Sequence, residues 1–302
     1  MSELSSPGDR TDEENVPMNR RPPRPTLPHA IRRRATSRLR RLTGPIALTL
    51  VASMTALGLS HVAPARAATL VWSDEFNGAA GSSPSTSNWN FETGGGGWGN
   101  NEWQTYTNSR QNSYLDGNGR LVIAARSNGT SITSARLNTL GKVAFTYGTA
   151  SARIKLPAGK GLLPAFWLMG TDIYSVGWPQ SGEIDVIETP SVTTAYTNHL
   201  HGPTTSGGTW QLGNSGAIAD LSTAFHTYSV TKSKDAITVA LDGRTVGSYR
   251  ASQLSADKKW VFNKPTYLLL TLAVGGNWPG DPDLTTPNPS YMTLDWIRVY
   301  SS

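Results

Sequence analysis

Three carboxylates stand within six residues at Glu183-Ile184-Asp185-Val186-Ile187-Glu188, interleaved with β-branched apolar residues. Paired carboxyls are suited to cleaving an acetal, one attacking carbon while the other hands a proton to the departing oxygen. Isoleucine and valine favour the pleated state, so the stretch reads as a strand. Side chains alternate along a strand, which puts Glu183 and Asp185 on one face and Glu188 on the other. One extra residue, a β-bulge near Val186 or Ile187, restores all three acids to a common face. The two glutamate Cα atoms then lie roughly 13 Å apart, and leaning side chains close that to about 5–5.5 Å, the spacing of a retaining glycosidase pair. A solvated acidic face is the plainer alternative. Like charges aligned on one face repel, however, and the apolar neighbours call for a strand buried on its other side.

Turn signals and short alternating runs surround this segment, and no long amphipathic helix is evident. Leu121-Val122-Ile123-Ala124-Ala125 follows the turn cluster Asp116-Gly117-Asn118-Gly119. Tyr147 to Leu156 alternates, with Ala152, Ile154 and Leu156 on one face. Ala236 to Leu241, Asp242-Gly243 and Arg244 to Val246 predict a hairpin closed by a type I′ turn. Tyr267 to Val274 is apolar almost throughout, as in a strand buried on both faces. The last strand is expected over Met292 to Tyr300, with Met292, Leu294 and Trp296 turned to the core. Together these predict an all-β, two-sheet jelly-roll β-sandwich.

The chain has 302 residues and a formal net charge of +6, but the charge is unevenly placed. Of 27 Lys and Arg and 21 Asp and Glu, residues 1–67 hold 11 and 5, which leaves 16 of each in the remainder. The body therefore carries no basic footprint for nucleic acid. Residues 1–67 read as a disordered start followed by a secretory signal. Arg32-Arg33-Arg34 and Arg40-Arg41 precede the uncharged run from Leu42 to Ser60, and Ala65-Arg66-Ala67 fits a small-x-small cleavage site. A secreted catalytic domain over 68–302 is expected, extracellular and free of the membrane after cleavage. The chain has no cysteine, which excludes disulfides and thiolate metal sites.

Several segments occur in a telling order: Trp72-Ser73-Asp74-Glu75-Phe76-Asn77, Gly97-Trp98-Gly99-Asn100-Asn101-Glu102, Pro164-Ala165-Phe166-Trp167, Gly182 to Glu188, His201-Gly202-Pro203 and Gly275-Gly276-Asn277-Trp278-Pro279-Gly280. With them the chain resembles glycoside hydrolase family 16, in particular its bacterial laminarinase-like endo-β-1,3-glucanases, over essentially all of residues 70–301. The resemblance implies a concave substrate cleft, a β-glucan polysaccharide as partner, a monomer, and hydrolysis of internal β-1,3 bonds by retaining double displacement. It makes Glu183 the nucleophile, Glu188 the general acid/base and Asp185 the assisting acid. Relatives acting on mixed-linkage β-1,3-1,4-glucan or β-1,3-galactan, and a non-catalytic glucan-binding module on the same fold, are the alternatives.

The resemblance also points to a binding set. Trp98 in a glycine-rich loop, Trp178 before Pro179 and Trp278 after Gly275-Gly276 are aromatic faces suited to sugar rings. Trp167 fits the cleft by resemblance and the core equally well by pattern. His201 matches a histidine lining the site, with a structural role, or neighbouring His199 in its place, as the alternatives. Asn101 and Arg136 match positions that touch sugar hydroxyls, although Asn101 equally suits a turn and Arg136 a surface cation. Trp72, Trp89, Trp260 and Trp296 read as core. No catalytic cofactor is implied. A structural Ca²⁺ is, held by the carbonyls of Glu75 and Gly119 and the Asp295 carboxylate, an oxygen-only set. Two features depart from the pattern: Glu188 is followed by Thr189-Pro190-Ser191-Val192 and Glu102 by Trp103, both expected to reshape substrate binding.

Overall fold

The computed structural model describes residues 68–301. The expected leader over 1–67 lies outside the described residues. In chain order the strands are β1 (Leu70–Asp74), β2 (Asn90–Glu92), β3 (Thr105–Tyr106), β4 (Ser113–Leu115), β5 (Leu121–Ser127), β6 (Ile132–Ser134), β7 (Arg136–Asn138), β8 (Ala144–Phe145) and β9 (Gly148–Lys155). There follow β10 (Leu162–Gly170), β11 (Glu183–Glu188), β12 (Ala195–Pro203), β13 (Thr209–Ala217), β14 (His226–Ser233), β15 (Ala236–Leu241), β16 (Arg244–Arg250), β17 (Thr266–Val274) and β18 (Ser290–Tyr300). The described residues contain only two helical turns, at Ile173–Val176 and Ala251–Gln253.

The strands form two sheets, as the alternating pattern predicts. One runs β16-β15-β14-β9-β18-β5-β6-β3, with β1 on β18 and β4 on β5. The other runs β13-β12-β11-β10-β17-β7-β2, with β8 on β17. Their inner faces share one large core that includes Ile123, Ile154, Phe166, Leu168, Ile184, Leu268, Leu270 and Ile297.

The second sheet is buried at its centre from both sides. Every residue of β10 and β17 is buried. Phe166, Leu168, Leu268 and Leu270 face the main core. Their alternating neighbours Ala165, Trp167, Met169, Tyr267 and Leu269 form a second apolar cluster on the opposite face. That outer cluster is the floor on which the site is built. The near-continuous apolar run of residues 267–274 is thus explained by double burial.

The β15–β16 hairpin has Leu241 opposite Arg244. Asp242 and Gly243 take φ of 49° and 77°, the left-handed pair a type I′ turn requires and glycine accepts without strain. The last strand departs from expectation. Leu294 pairs with Ile154 and Trp296 with Arg153, so Asp295 is an extra residue that shifts the phase. Ile297 and Val299 therefore enter the core. Trp296 does not; it is half-buried, with the Arg298 guanidinium 4.3 Å from its ring centre. Of the other tryptophans read as core, Trp89 is fully buried, while Trp72 and Trp260 pack against the core's margin.

The phase shift predicts an inversion of ordinary alternation. Ile297→Ala should cost about 2–5 kcal/mol. Trp296→Ala should cost less than about 1.5 kcal/mol, since the ring sits over an arginine at the surface. Urea unfolding of the two variants checks this; equal losses would contradict the bulge.

Candidate active site

On the β10 side, Trp167 pairs with Asp185 and Phe166 with Ile187, so Val186 has no partner there. On the β12 side, Asp185 pairs with His199 and Glu188 with Thr197. Two residues of β11 thus oppose one of β12, which is the β-bulge expected from the spacing of the acids. Its effect is a clean sorting. Ile184, Val186 and Ile187 all join the main core, and Glu183, Asp185 and Glu188 all line one cavity on the outer face.

That cavity has a volume of about 700 Å³. Trp98, Arg136, Trp167, Trp178, His201 and Trp278 line it together with the acids. Trp167, open between core and cleft by pattern, belongs to the cleft floor. Asn101 is not on the cavity wall. It takes a left-handed φ of 55° and its amide donates to Asn277 Oδ1 at 2.9 Å, so it joins two loops, and its neighbours Asn100 and Glu102 face the cavity. A second cavity of about 880 Å³ opens near Trp103 and residues 282–288, and none of the three acids lines it.

Each acid has its own partner. Trp178 Nε1 donates to Glu183 Oε2 at 2.7 Å. His199 Nδ1 lies 3.1 Å from Glu188 Oε2. His201 Nε2 lies 3.2 Å from Asp185 Oδ2, which is buried and makes no hydrogen bond. Burial, and then the nearby charge of Glu188, pushes Glu183 up to about 7. Burial followed by the charges of Glu188 and Glu183 raises Asp185 well above the usual carboxylate range. The Asp185–Glu183 interaction lowers Glu183 and raises Asp185, which favours charge on Glu183 and the proton on Asp185. Burial, then the neighbouring His199, takes His201 down to about 4, so its imidazole is neutral at pH 7.

Across the sheet from the acids, Arg136 organises the aromatic wall. Its guanidinium lies 4.9 Å from the Trp98 ring centre and 4.6 Å from that of Trp167. Its Nε donates to Glu92 Oε2, and Asn138 Nδ2 donates to Glu92 Oε1. Trp98 is pinned further by a bond from Nε1 to Gly94 O at 3.1 Å and by an edge contact with Tyr106. Trp167 Nε1 is buried without a hydrogen-bond partner.

Residues outside the sequence-derived binding set complete the site. His199, named from the sequence only as an alternative to His201, is present alongside it and holds Glu188. Glu102 is a cavity carboxyl raised by burial, an effect opposed by donors from Gln104 and Tyr106. Gln211 reaches the cavity from β13. Gly213, the β13 partner of His199, leaves no room for a side chain: a Cβ there would stand 2.1 Å from the His199 ring. Of the oxygens named for calcium, Glu75 O lies 3.7 Å from where a Gly119 Cβ would stand, so those two residues are neighbours. The Asp295 carboxylate instead accepts from Arg153, a cation that competes with a metal for the same oxygen.

A family profile described as "Glycosyl hydrolases family 16" matches residues 99–298. The "Beta-glucanase" of Rhodothermus marinus is 36% identical over 255 residues, spanning 76% of this chain and 84% of that protein. The "Glucan endo-1,3-beta-glucosidase A1" of Niallia circulans is 34% identical over 265 residues, which cover 76% of this chain but 37% of that longer protein. The laminarinase catalytic domain from Thermotoga maritima superposes with a TM-score of 0.70 at 38% identity, covering 78% of this chain and 98% of the other.

The raised folded-state value of Glu183 has a definite sign. The folded chain binds its proton more tightly than the unfolded chain, so this contribution is present below pH 4.5 and is lost as pH rises through about 7. Glu183→Gln removes the loss. Relative to the parent, the variant should gain little stability at pH 5 and on the order of 2–3 kcal/mol at pH 8. Thermal unfolding at both pH values measures it; a gain that does not grow with pH would contradict the buried-charge account.

Proposed function

The chain belongs to glycosyl hydrolase family 16, and on that premise we propose that it cleaves internal β-1,3-glucosidic bonds of laminarin-type glucans by a retaining double displacement. The observation that carries the proposal is the convergence of Glu183, Asp185 and Glu188, each with a different partner, in one cavity walled by tryptophan.

Glu183, ionised, attacks the anomeric carbon and forms a glycosyl–enzyme ester. Glu188 gives its proton to the departing glycosidic oxygen as that bond breaks. Glu188, now a carboxylate, then takes a proton from water as the water oxygen attacks the anomeric carbon and releases Glu183. Neutral Asp185 donates to Glu183 and steadies its charge. The Trp178 N–H orients the same carboxylate, and His199 orients Glu188. Trp98, Trp167, Trp178 and Trp278 offer flat faces to the sugar rings. Arg136 sets the positions of two of these rings.

A panel of laminarin, lichenan, galactan and agarose tests the proposal. Internal cleavage products from laminarin are expected. Products from galactan alone would overturn the substrate, and binding without cleavage would favour a glucan-recognition role. Glu183→Gln and Glu188→Gln should each lower kcat by at least about 1,000-fold. Because the nucleophile must be ionised, the acid limb of kcat/KM should lie well above pH 4.5, toward 7. Near-parental activity in either variant would sink the assignment.

Two accompanying proposals concern the chain outside the cleft. We infer that it is secreted as a monomer after removal of residues 1–67, and that Glu75, Gly119 and Asp295 hold a structural calcium ion once Arg153 yields its oxygen. Asp295 is on β18 of the sheet opposite the acids, Glu75 follows β1 and Gly119 precedes β5, so the ion takes no part in catalysis. N-terminal sequencing of the exported protein should begin at Ala68, and chelation should lower its Tm. A different start, or an unchanged melting curve, counts against the respective proposal.

A further inference from the structure

We propose that Asp185, His199 and His201 form a binding site for a divalent transition-metal ion of the zinc class, and that its occupancy switches hydrolysis off. Each of the three residues offers one ligand atom, and these atoms all lie within 4.8 Å of one another. The backbone arranges them. His199 and His201 are two residues apart on β12 and share a face, and Asp185 stands opposite His199 across the β11–β12 ladder.

The Asp185–His201 contact is the telling part. Asp185 Oδ2 is buried, has no hydrogen-bond partner, and stands 3.2 Å from His201 Nε2. A buried carboxylate oxygen this near an imidazole nitrogen, yet not hydrogen-bonded to it, has the spacing of two ligands on a shared ion. Metal bonds of about 2.0–2.2 Å meeting at a tetrahedral angle put their donor atoms about 3.3 Å apart. Glu188, 3.1 Å from His199 Nδ1, supplies the carboxylate–imidazole contact that orients metal-binding histidines. Two imidazoles and one carboxylate suit zinc, copper or nickel, whereas calcium and magnesium favour oxygen alone.

Inhibition follows from the position. The three ligands line the cavity that holds Glu183 and Glu188. An ion there takes the Asp185 carboxylate as a ligand and occupies space beside Glu183 and Glu188 that the scissile bond must enter. This inhibitory consequence rests on the hydrolytic function proposed above; binding of the ion does not.

The purified, tag-free full chain titrated with zinc chloride at pH 7 by calorimetry should bind one ion per chain. His199→Gln and His201→Gln should each weaken binding at least about tenfold. Cobalt(II) bound to the parent chain should give visible bands of a nitrogen- and oxygen-ligated ion, displaced by zinc; this keeps the test informative if a variant does not fold. Laminarin hydrolysis should fall in step with occupancy and return on chelation. No binding at a large excess of zinc, or binding unchanged in both histidine variants, overturns the site. Binding without loss of hydrolysis overturns the switch. A chain that binds zinc as described but cleaves no glycan keeps the site and refutes the hydrolytic function instead.

Discussion

One surplus residue in β11 governs the rest of the molecule's chemistry. A regular strand with this sequence cannot satisfy both sides of the sheet. If Glu183 and Asp185 faced outward, Ile187 would face outward too and Glu188 would enter the apolar core. A glutamate there, without a partner, would cost more than most single packing defects. Opposing two residues to one lets Ile184, Val186 and Ile187 all reach the core while the three acids share the outer face. The demand for a buried apolar face and the demand for a convergent acidic site are met by the same kink. Core packing thereby enforces site geometry, because undoing the kink to separate the acids would require burying one of them.

Convergence has an electrostatic consequence that the partners around the acids manage unequally. Glu183 receives an indole N–H and Glu188 meets an imidazole, but Asp185 Oδ2 receives no hydrogen bond. Asp185 is therefore the least favourable place for negative charge and the most favourable place for a proton. Burial and the charges of both glutamates raise Asp185, so a proton is held there more readily than on an exposed aspartate. In the proposed double displacement, the division of labour between attacking and proton-donating groups rests on a third carboxyl that does neither. The stability the chain forgoes by ionising a buried Glu183 is of the kind expected where function and folding compete for one residue.

Much of this was legible from residue types and spacing. The acids, the bulge, the hairpin turn at Asp242-Gly243 and the double burial of β17 all follow from period and composition, which are local properties. What was not legible depends on partners distant in sequence. The phase of Trp296 turns on the extra residue Asp295, which no alternation count reveals because Met292 and Leu294 obey the rule up to that point. Asn101 carries a residue type equally suited to sugar contact and to a left-handed turn, and its bond to Asn277, 176 positions away, decides between them. Gly213 looks like any strand glycine until its partner across the ladder is known to be His199, whose ring occupies the space.

The layout of the sheet bears on where along a polymer the acids act. β11 is an interior strand of its sheet, with β10, β17, β7 and β2 on one side and β12 and β13 on the other. Neighbouring strands lie about 4.8 Å apart, so Arg136 on β7 stands roughly 14 Å from the acids, and Gln211 on β13 roughly 10 Å away in the opposite direction. Cavity-lining side chains occur over this whole span. Trp98, Arg136 and Trp167 form a stacked wall on the first side, fixed by the partly buried ion pair to Glu92. A chain lying across the strands therefore finds contacts on both sides of the bond held at β11. A site at the end of a pocket would bind only one side of the scissile bond and would release terminal units. With the Trp98–Arg136–Trp167 wall to one side, and Trp178, Trp278 and Gln211 by the β12 histidines toward the other, binding energy can be drawn from sugars well away from the reacting carbon. That arrangement favours attack within a polymer over removal of its ends.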